Sequence, residues 1–427
     1  MADEAGVERT EASEPPRIVT ANRAQVQLRP LDLESLLAAD HRARAIWTVV
    51  EQLDLSQFYA AIHARGSEPG RPAIDPKLLI AVWLYGTSEG VGSARELARL
   101  CEQHDAYRWL CGGVRVNHHT LSDFRVEHGA ALDELLTQVL GVLLHQRLVK
   151  LERVTQDGMR VRASAGAASF RREASLRRCL EEARTHVAAV KDAGERPADP
   201  RATRREAAAA RAAREREKRV ARALAELPAA RAAKRDEAAK AEARVSTTDP
   251  EARVMKMADG GYRPAYNVQL ATAVDGRVIV GVQVTNAGTD MAQLTPMRAA
   301  VAERTGQQPT EYLVDGGFAK LESIAKADAD GVTVYAPVPT PRRADIDPHA
   351  PKSTDEPAVA AWRARMGTDE AKAIYKDRAA VAETVNADLR AHRGLDRFPV
   401  RGLAKVQCVA LWMALTYNVL RWLALPT

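Results

Sequence analysis

The chain has 427 residues, too many for one compact core, and is expected to divide into two or three domains. Apolar residues make up 46% and charged residues 28%, the ordinary balance of a soluble globular protein, and a formal net charge of +6 favours polyanionic partners. Four cysteines, Cys101, Cys111, Cys179 and Cys408, form no Cys-x-x-Cys pair and are scattered, which argues against a zinc site or disulfide framework and fits a reducing cytosol.

Residues 1–27 are polar, acidic and proline-containing, and read as a loose tail. Asp3, Glu4, Glu8 and Glu11, with no apolar stretch among them, give no secretory signal. From 28 to 150 the pattern is helical. Pro72 and Pro76 punctuate the start of a helix carrying Leu78, Leu79, Val82 and Leu84. Ser93 with Glu96 three residues later is a capping-box signature. Thr120 precedes Leu121, Phe124 and Val126, and 132–148 is a strongly apolar helix. Short helices joined by glycine-containing turns suit a helix-turn-helix-like DNA module, but many small helical domains look the same.

Residues 152–162 alternate as a strand. Then 171–244 is dominated by Ala, Arg, Lys and Glu. Leu176, Leu180, Val187 and Val190 keep a near-heptad spacing, a break follows at 195–200, and Val220, Leu224 and Leu227 continue with a kink expected at Pro228. This reads as an antiparallel helical hairpin with a net charge of about +8 by side-chain count, inserted over 165–250. It is either a solvated arm or one that meets DNA phosphates or a second subunit.

Strands at 266–274 and 278–285 are joined by Asp275-Gly276, a strong hairpin signal. Thr289 or Asp290 is expected to cap the following helix, and Asp259-Gly260-Gly261 to be a turn. Strands follow at 311–315 and 332–337, then a long helix over 369–390 and a last one over 403–423. The apolar run 406–420 is interrupted or flanked by Lys405, Gln407, Asn418 and Arg421, so it is expected to be a buried helix and not a membrane span. The alternation of strands and helices predicts an α/β fold with a large helical part.

Three acids stand out by context: Asp157 within the first strand, Asp315 at the end of a later strand before two glycines, and Glu383 on the long helix. Carboxylates converging at a sheet rim are hard oxygen ligands for Mg²⁺ or Mn²⁺, and a pair of such ions can activate a water or 3′-hydroxyl. Singly they carry little weight, because the chain has 56 Asp plus Glu residues and an Asp-Gly is usually a turn. On an α-helix, positions seven apart line up, so Lys376, Glu383 and Arg390 form one stripe with Asn386 beside it, and Asp377 and Asp388 turn away. His118 and His119, just before an expected helix start, read as structural or phosphate-contacting. Trp109, Trp412 and Trp422 read as core. No Walker-type glycine loop is present, so no nucleotide cofactor is implied.

With these residues in view, the chain resembles the DDE insertion-sequence transposases with a Tyr-Arg-Glu-Lys signature and an InsH-like N-terminal domain. The resemblance is carried by AIDPKLLIAVWLYGTSEGVGSARELARLC, YRWLCGG and NHHTLSDFR in the N-terminal part, and by GGYRPAYNVQLATAVDGRVIVGVQVTNAGTDMAQLTPM in the centre. It implies a catalytic triad of Asp157, Asp315 and Glu383. Tyr375 and Arg378 match the signature Tyr-x2-Arg-x3-Glu-x6-Lys, Glu383 comes one residue late, and Arg390 stands where lysine is expected. The resemblance further implies a helical DNA-binding domain over 28–150 and a ribonuclease H-like domain over 151–427. Tyr375, Arg378 and Arg390 are expected to position phosphates, and Mg²⁺ or Mn²⁺ is the expected cofactor. Double-stranded DNA is the expected partner, at element ends and target, with a homodimer acting on paired ends. A cytoplasmic, nucleoid-associated location is expected, with no membrane partner. A stand-alone nuclease and a non-catalytic DNA-binding derivative are the alternatives.

Overall fold

The computed structural model describes residues 32–62, 72–193, 200–341 and 345–425, with isolated positions 21, 24, 26 and 343. The tail expected over 1–27 and the break at 195–200 fall almost entirely outside the described residues.

A short 3-10 turn, Glu34–Leu36, leads into seven helices: α1 (Arg42–Gln52), α2 (Ser56–Ala60), α3 (Pro76–Ser88), α4 (Ala94–Gln103), α5 (Asp105–Cys111), α6 (His118–Glu127) and α7 (Gly129–His145). Local chemistry sets their ends. Asp75 caps α3 by accepting from Lys77 N at 2.9 Å, and Pro76 fills the first turn, where no N–H is needed. Ser93 caps α4, as the sequence predicts, through Glu96 N at 3.4 Å. The box is not reciprocal: Glu96 pairs with Arg99 instead. α5 stops at Gly112, whose φ of +55° suits glycine. α6 starts two residues before the expected Thr120, because Asn117 caps it through Thr120 N at 2.9 Å. His118 and His119 therefore lie in its first turn.

The strand β1 (Arg153–Arg162) follows, then β2 (Phe170–Arg171), α8 (Glu173–Ala193), α9 (Pro200–Ala232), α10 (Glu237–Ala241) and β3 (Val245–Ser246). β2 and β3 pair antiparallel, so the inserted arm leaves and returns at one point. α8 and α9 pack together over a small core of their own, built on Leu176, Ala223, Leu227 and Ala230. α9 contains Pro228 and continues past it.

The main sheet is made by β1, β4 (Arg253–Lys256), β5 (Tyr262–Ala273), β6 (Ile279–Thr285), β7 (Glu311–Leu313) and β8 (Thr333–Tyr335). Its order is β4-β5-β1-β7-β8, with β6 also on β5. β1 is antiparallel to β5 and parallel to β7, which is parallel to β8. Gly276, at φ +69°, makes the β5–β6 turn that Asp275-Gly276 predicts. Between and after the strands lie α11 (Leu294–Thr305), α12 (Leu321–Ala329), α13 (Pro357–Met366) and α14 (Asp369–Arg378). A π turn (Ala379–Glu383) joins α14 to α15 (Thr384–Ala391), and α16 (Leu403–Ala424) ends the chain.

Side chains alternate across β1. Gln156 reaches the α11 side, where its Nε2 donates to Gln293 O at 3.1 Å, whereas Asp157 reaches the helix carrying Arg378 and Asn386. α11 and α14–α15 thus cover opposite faces of the sheet. α16 is long and apolar enough to cross a membrane, yet 13 of its 22 residues are buried against α3, α6, α7 and β6. Its two polar interruptions have a use. Asn418 accepts from Ile279 N at 2.9 Å and donates to Ile279 O at 2.8 Å, and Gln407 accepts from Val284 N at 2.7 Å. They close the free edge of β6 that would otherwise be open to pairing. Through α16 the N-terminal helices and the sheet share one contiguous core.

Candidate active site

β1 and β7 run parallel in the register Arg153↔Glu311, Val154↔Tyr312, Thr155↔Leu313. Two residues beyond the last pair, Asp157 and Asp315 come side by side. Asp157 is still within β1, opposite Leu270 of β5, so its Asp-Gly is no turn. Asp315 lies just past β7 and caps the 3-10 turn Gly316–Phe318, accepting from Gly317 N at 2.7 Å.

One cation joins the two acids. Arg378 Nη2 lies 3.2 Å from Asp157 Oδ1 and 3.6 Å from Asp315 Oδ2. Asn386 Nδ2 donates to the other Asp157 oxygen at 2.9 Å, and Gly158 N donates to Oδ1 at 2.9 Å. Burial pushes the Asp157 carboxyl above the ordinary carboxylate range. Arg378 and the Gly158 N–H oppose this, and the Asp315 and Asp290 charges add to it. Tyr375 is half-buried in the same cluster; burial raises its phenol, Arg378 acts against that, and the two aspartates reinforce it.

The helix opposite explains how Arg378 and Asn386 reach one carboxylate. Eight residues separate them, which on an unbroken α-helix turns them apart by about 80°. The π turn at Ala379–Glu383 absorbs one extra residue, so they face as positions seven apart do, about 20° from alignment. Across the π turn, Arg378-x4-Glu383 spans about the rotation that Arg-x3-Glu spans on an α-helix. It also corrects the expected stripe. Glu383 and Arg390 remain aligned, but Tyr375 and not Lys376 falls in line with them. Glu383 is exposed, on a turn that packs against β1, and is in no salt bridge among the described residues. Arg390 is exposed and its Nη2 donates to Arg160 O at 3.2 Å. Asp377 pairs with Arg153, and Asp388 with Arg393 at 3.1 Å, so both are engaged elsewhere.

Behind β1 the structure holds a residue that sequence reasoning misassigned. Asp290 caps no helix: α11 begins at Leu294, and its preceding residue, Gln293, bonds the Asp290 backbone carbonyl. The buried Asp290 carboxylate instead accepts from Asn267 at 2.7 Å and Gln269 at 2.6 Å and pairs with Arg160 at 2.7 Å. It sits against Gly158, where a Cβ would meet Asp290 Oδ1 at 2.2 Å. A glycine inside a strand is the signal that pointed to such a close approach.

Among the described residues no three His, Cys, Asp or Glu side chains stand close enough to hold one metal ion. Asp157 and Asp315 do supply adjacent hard oxygens, a donor set that suits Mg²⁺ or Mn²⁺ and not a soft metal.

Two families of known proteins match the chain. Residues 31–127 match the Transposase domain (DUF772), and residues 341–423 match the Transposase DDE domain. The second match contains Tyr375, Arg378, Glu383 and Arg390; neither contains Asp157 or Asp315. No curated protein and no solved structure matches the chain.

Proposed function

We propose, for a chain that belongs to the insertion-sequence DDE transposases, that the rim of β1 and β7 cuts and rejoins DNA strands. The sheet is read as ribonuclease H-like. What supports this is the order of three antiparallel strands, β6-β5-β1, continued by two parallel ones, β7 and β8. The proposed domain boundary lies near residue 150, with the arm inserted after β1.

The observation that carries the reading is the guanidinium of Arg378 shared by Asp157 and Asp315; Glu383 lies exposed at the end of the adjoining π turn. Asp157, Asp315 and Glu383 are the proposed ligands of Mg²⁺ or Mn²⁺. Such ions, when bound, would activate a water or a 3′-hydroxyl and stabilise the leaving oxygen. Arg378 balances the two aspartates and is proposed to meet a phosphate of the cut strand as a fork. Asn386 holds Asp157 in orientation. Tyr375 and Arg390 flank Glu383 on the same face and are the proposed phosphate-positioning groups. The enzyme is proposed to act as a homodimer on paired element ends.

The test is incubation of the purified chain with DNA carrying its own element ends and Mg²⁺. Wild type should give cleaved ends and joined product, and excess EDTA should stop both. Glu383→Gln should bind DNA but give neither product, whereas Asp377→Asn and Asp388→Asn should cut. Normal cutting by Glu383→Gln would remove that residue from the site. Cutting without joining would make the chain a nuclease.

A further inference from the structure

A second site lies at the seam between the N-terminal helices and the end of the chain. There a cavity of about 410 Å³ opens, lined by five basic side chains: Arg95, His118, His119, Arg125 and Arg397. Among the described residues lining it there is no Asp or Glu. The first turns of α4 and α6, each ten residues long, both contribute to its wall, and helix N-termini carry unsatisfied N–H groups and a positive dipole end.

Arg125 is the decisive residue. It is only 6% exposed. Its Nη1 donates to Gly92 O at 2.6 Å, and its guanidinium lies 4.8 Å over the Trp83 ring, so its position is fixed. Among the described residues its Nε has no hydrogen-bond partner and no carboxylate pairs with it. Burial pushes its pKa down to about 10, which leaves it cationic at neutral pH. A buried, unpaired cation with an unmet donor is costly unless an anion completes it.

We propose that this cavity is a phosphate-binding pocket and that a backbone phosphate of DNA fills it. The preference for a phosphate stands on the pocket's own residues; that DNA supplies it rests on the function proposed above. Backbone hydrogen bonds join the pocket's loop to the strand that carries Asp157. The loop bearing Arg397 continues beside the end of β1: Arg162 N donates to Asp396 O at 3.1 Å, and Phe398 N to Arg162 O at 2.8 Å. From Asp157 to Arg162 is five strand residues, about 17 Å, or roughly five nucleotide steps of one strand. Exposed Arg390 lies alongside, on the Arg160 carbonyl.

The experiment has two arms on the full chain. In the first, inorganic phosphate is added against chloride at equal ionic strength and Tm is read. Wild type should be stabilised, and Arg125→Gln and the double variant Arg95→Ala/Arg397→Ala should not. Arg125 is buried and its variant can misfold, so the exposed pair carries the test. In the second, binding of a labelled duplex is followed against salt. The double variant should bind several-fold more weakly, with a salt slope lower by about 1. Phosphate stabilisation with an unchanged slope would overturn DNA as the occupant. Equal Tm responses in wild type and double variant would overturn the pocket itself. A wild type that binds no DNA would defeat the proposed function, while the phosphate arm still judges the pocket.

Discussion

Only a hydrogen fits at Gly158, and the reason lies on the face of the sheet opposite Asp157. A methyl there would come within 2.2 Å of Asp290 Oδ1 and 2.5 Å of Gln269 Nε2. Asp290 cannot step aside cheaply, because Arg160, Asn267 and Gln269 all hold it. Gln269 is tied in turn to Gln156, and Gln156 to Tyr312, so the layer behind the two aspartates is one buried polar network. Gly158→Ala should therefore cost about 1–3 kcal/mol of stability, read by urea unfolding. In a double variant with Asp290→Ala the closer of the two clashes is gone and Gln269 loses the carboxylate that holds it, so the combined loss should fall below the sum of the two single losses. Strict additivity would mean that the two residues do not touch.

Among the elements, the π turn decides how the helix opposite β1 presents its side chains. Such a turn holds one residue more than an α turn. Ala379 and Ala380 within it are exposed, so their side chains hold nothing in the core. Deleting Ala380 should let the segment close as a plain α-helix, with Arg378 and Glu383 still on one face. The variant should fold and retain cleavage. Inserting one further alanine at the same place should swing α15 by about 100°, detach Asn386 from Asp157 and abolish cleavage of a labelled element end. If the deletion variant folds but is dead, the π turn itself is needed and not only the alignment it restores.

At the scale of the whole molecule, charge and core are divided differently. Residues 171–244 hold 21 basic and 13 acidic side chains, more than the net excess of the chain, so the remainder is slightly acidic. The arm carries that charge on its own small core above the β2–β3 stalk, with ion pairs Arg222–Glu251 and Glu226–Arg253 at its foot, each 2.9 Å. Joining Arg171 to Val245 by a short linker should leave the melting of the remaining body nearly unchanged. If the arm lies on DNA backbone, binding to any duplex should weaken and its salt dependence flatten. An unchanged salt slope would make the arm a spacer or a protein contact.

Local patterns were enough to read β1, the β5–β6 hairpin, the arm as an inserted pair of helices, and α16 as a buried helix with polar breaks. Period, turn residues and composition are properties of neighbouring positions, and a sequence displays them directly. The two aspartates were also legible as candidates, by strand context and by resemblance. What a sequence leaves open is which distant groups meet. The parallel register of β1 on β7, the ion pair of Arg378 with Asp157, and the use of Asn418 and Gln407 to close β6 each join residues more than a hundred positions apart. The one-residue offset at Glu383 was visible, but the π turn that ends there is a backbone geometry that no residue type announces. Asp290 read as a cap because an aspartate before a helix usually is one; burial against Gly158 gave it another role. Arg125 shows the same limit: in sequence it is one more arginine on a helix, and only the packing of α3, α6 and α16 around it leaves its charge enclosed and unpaired.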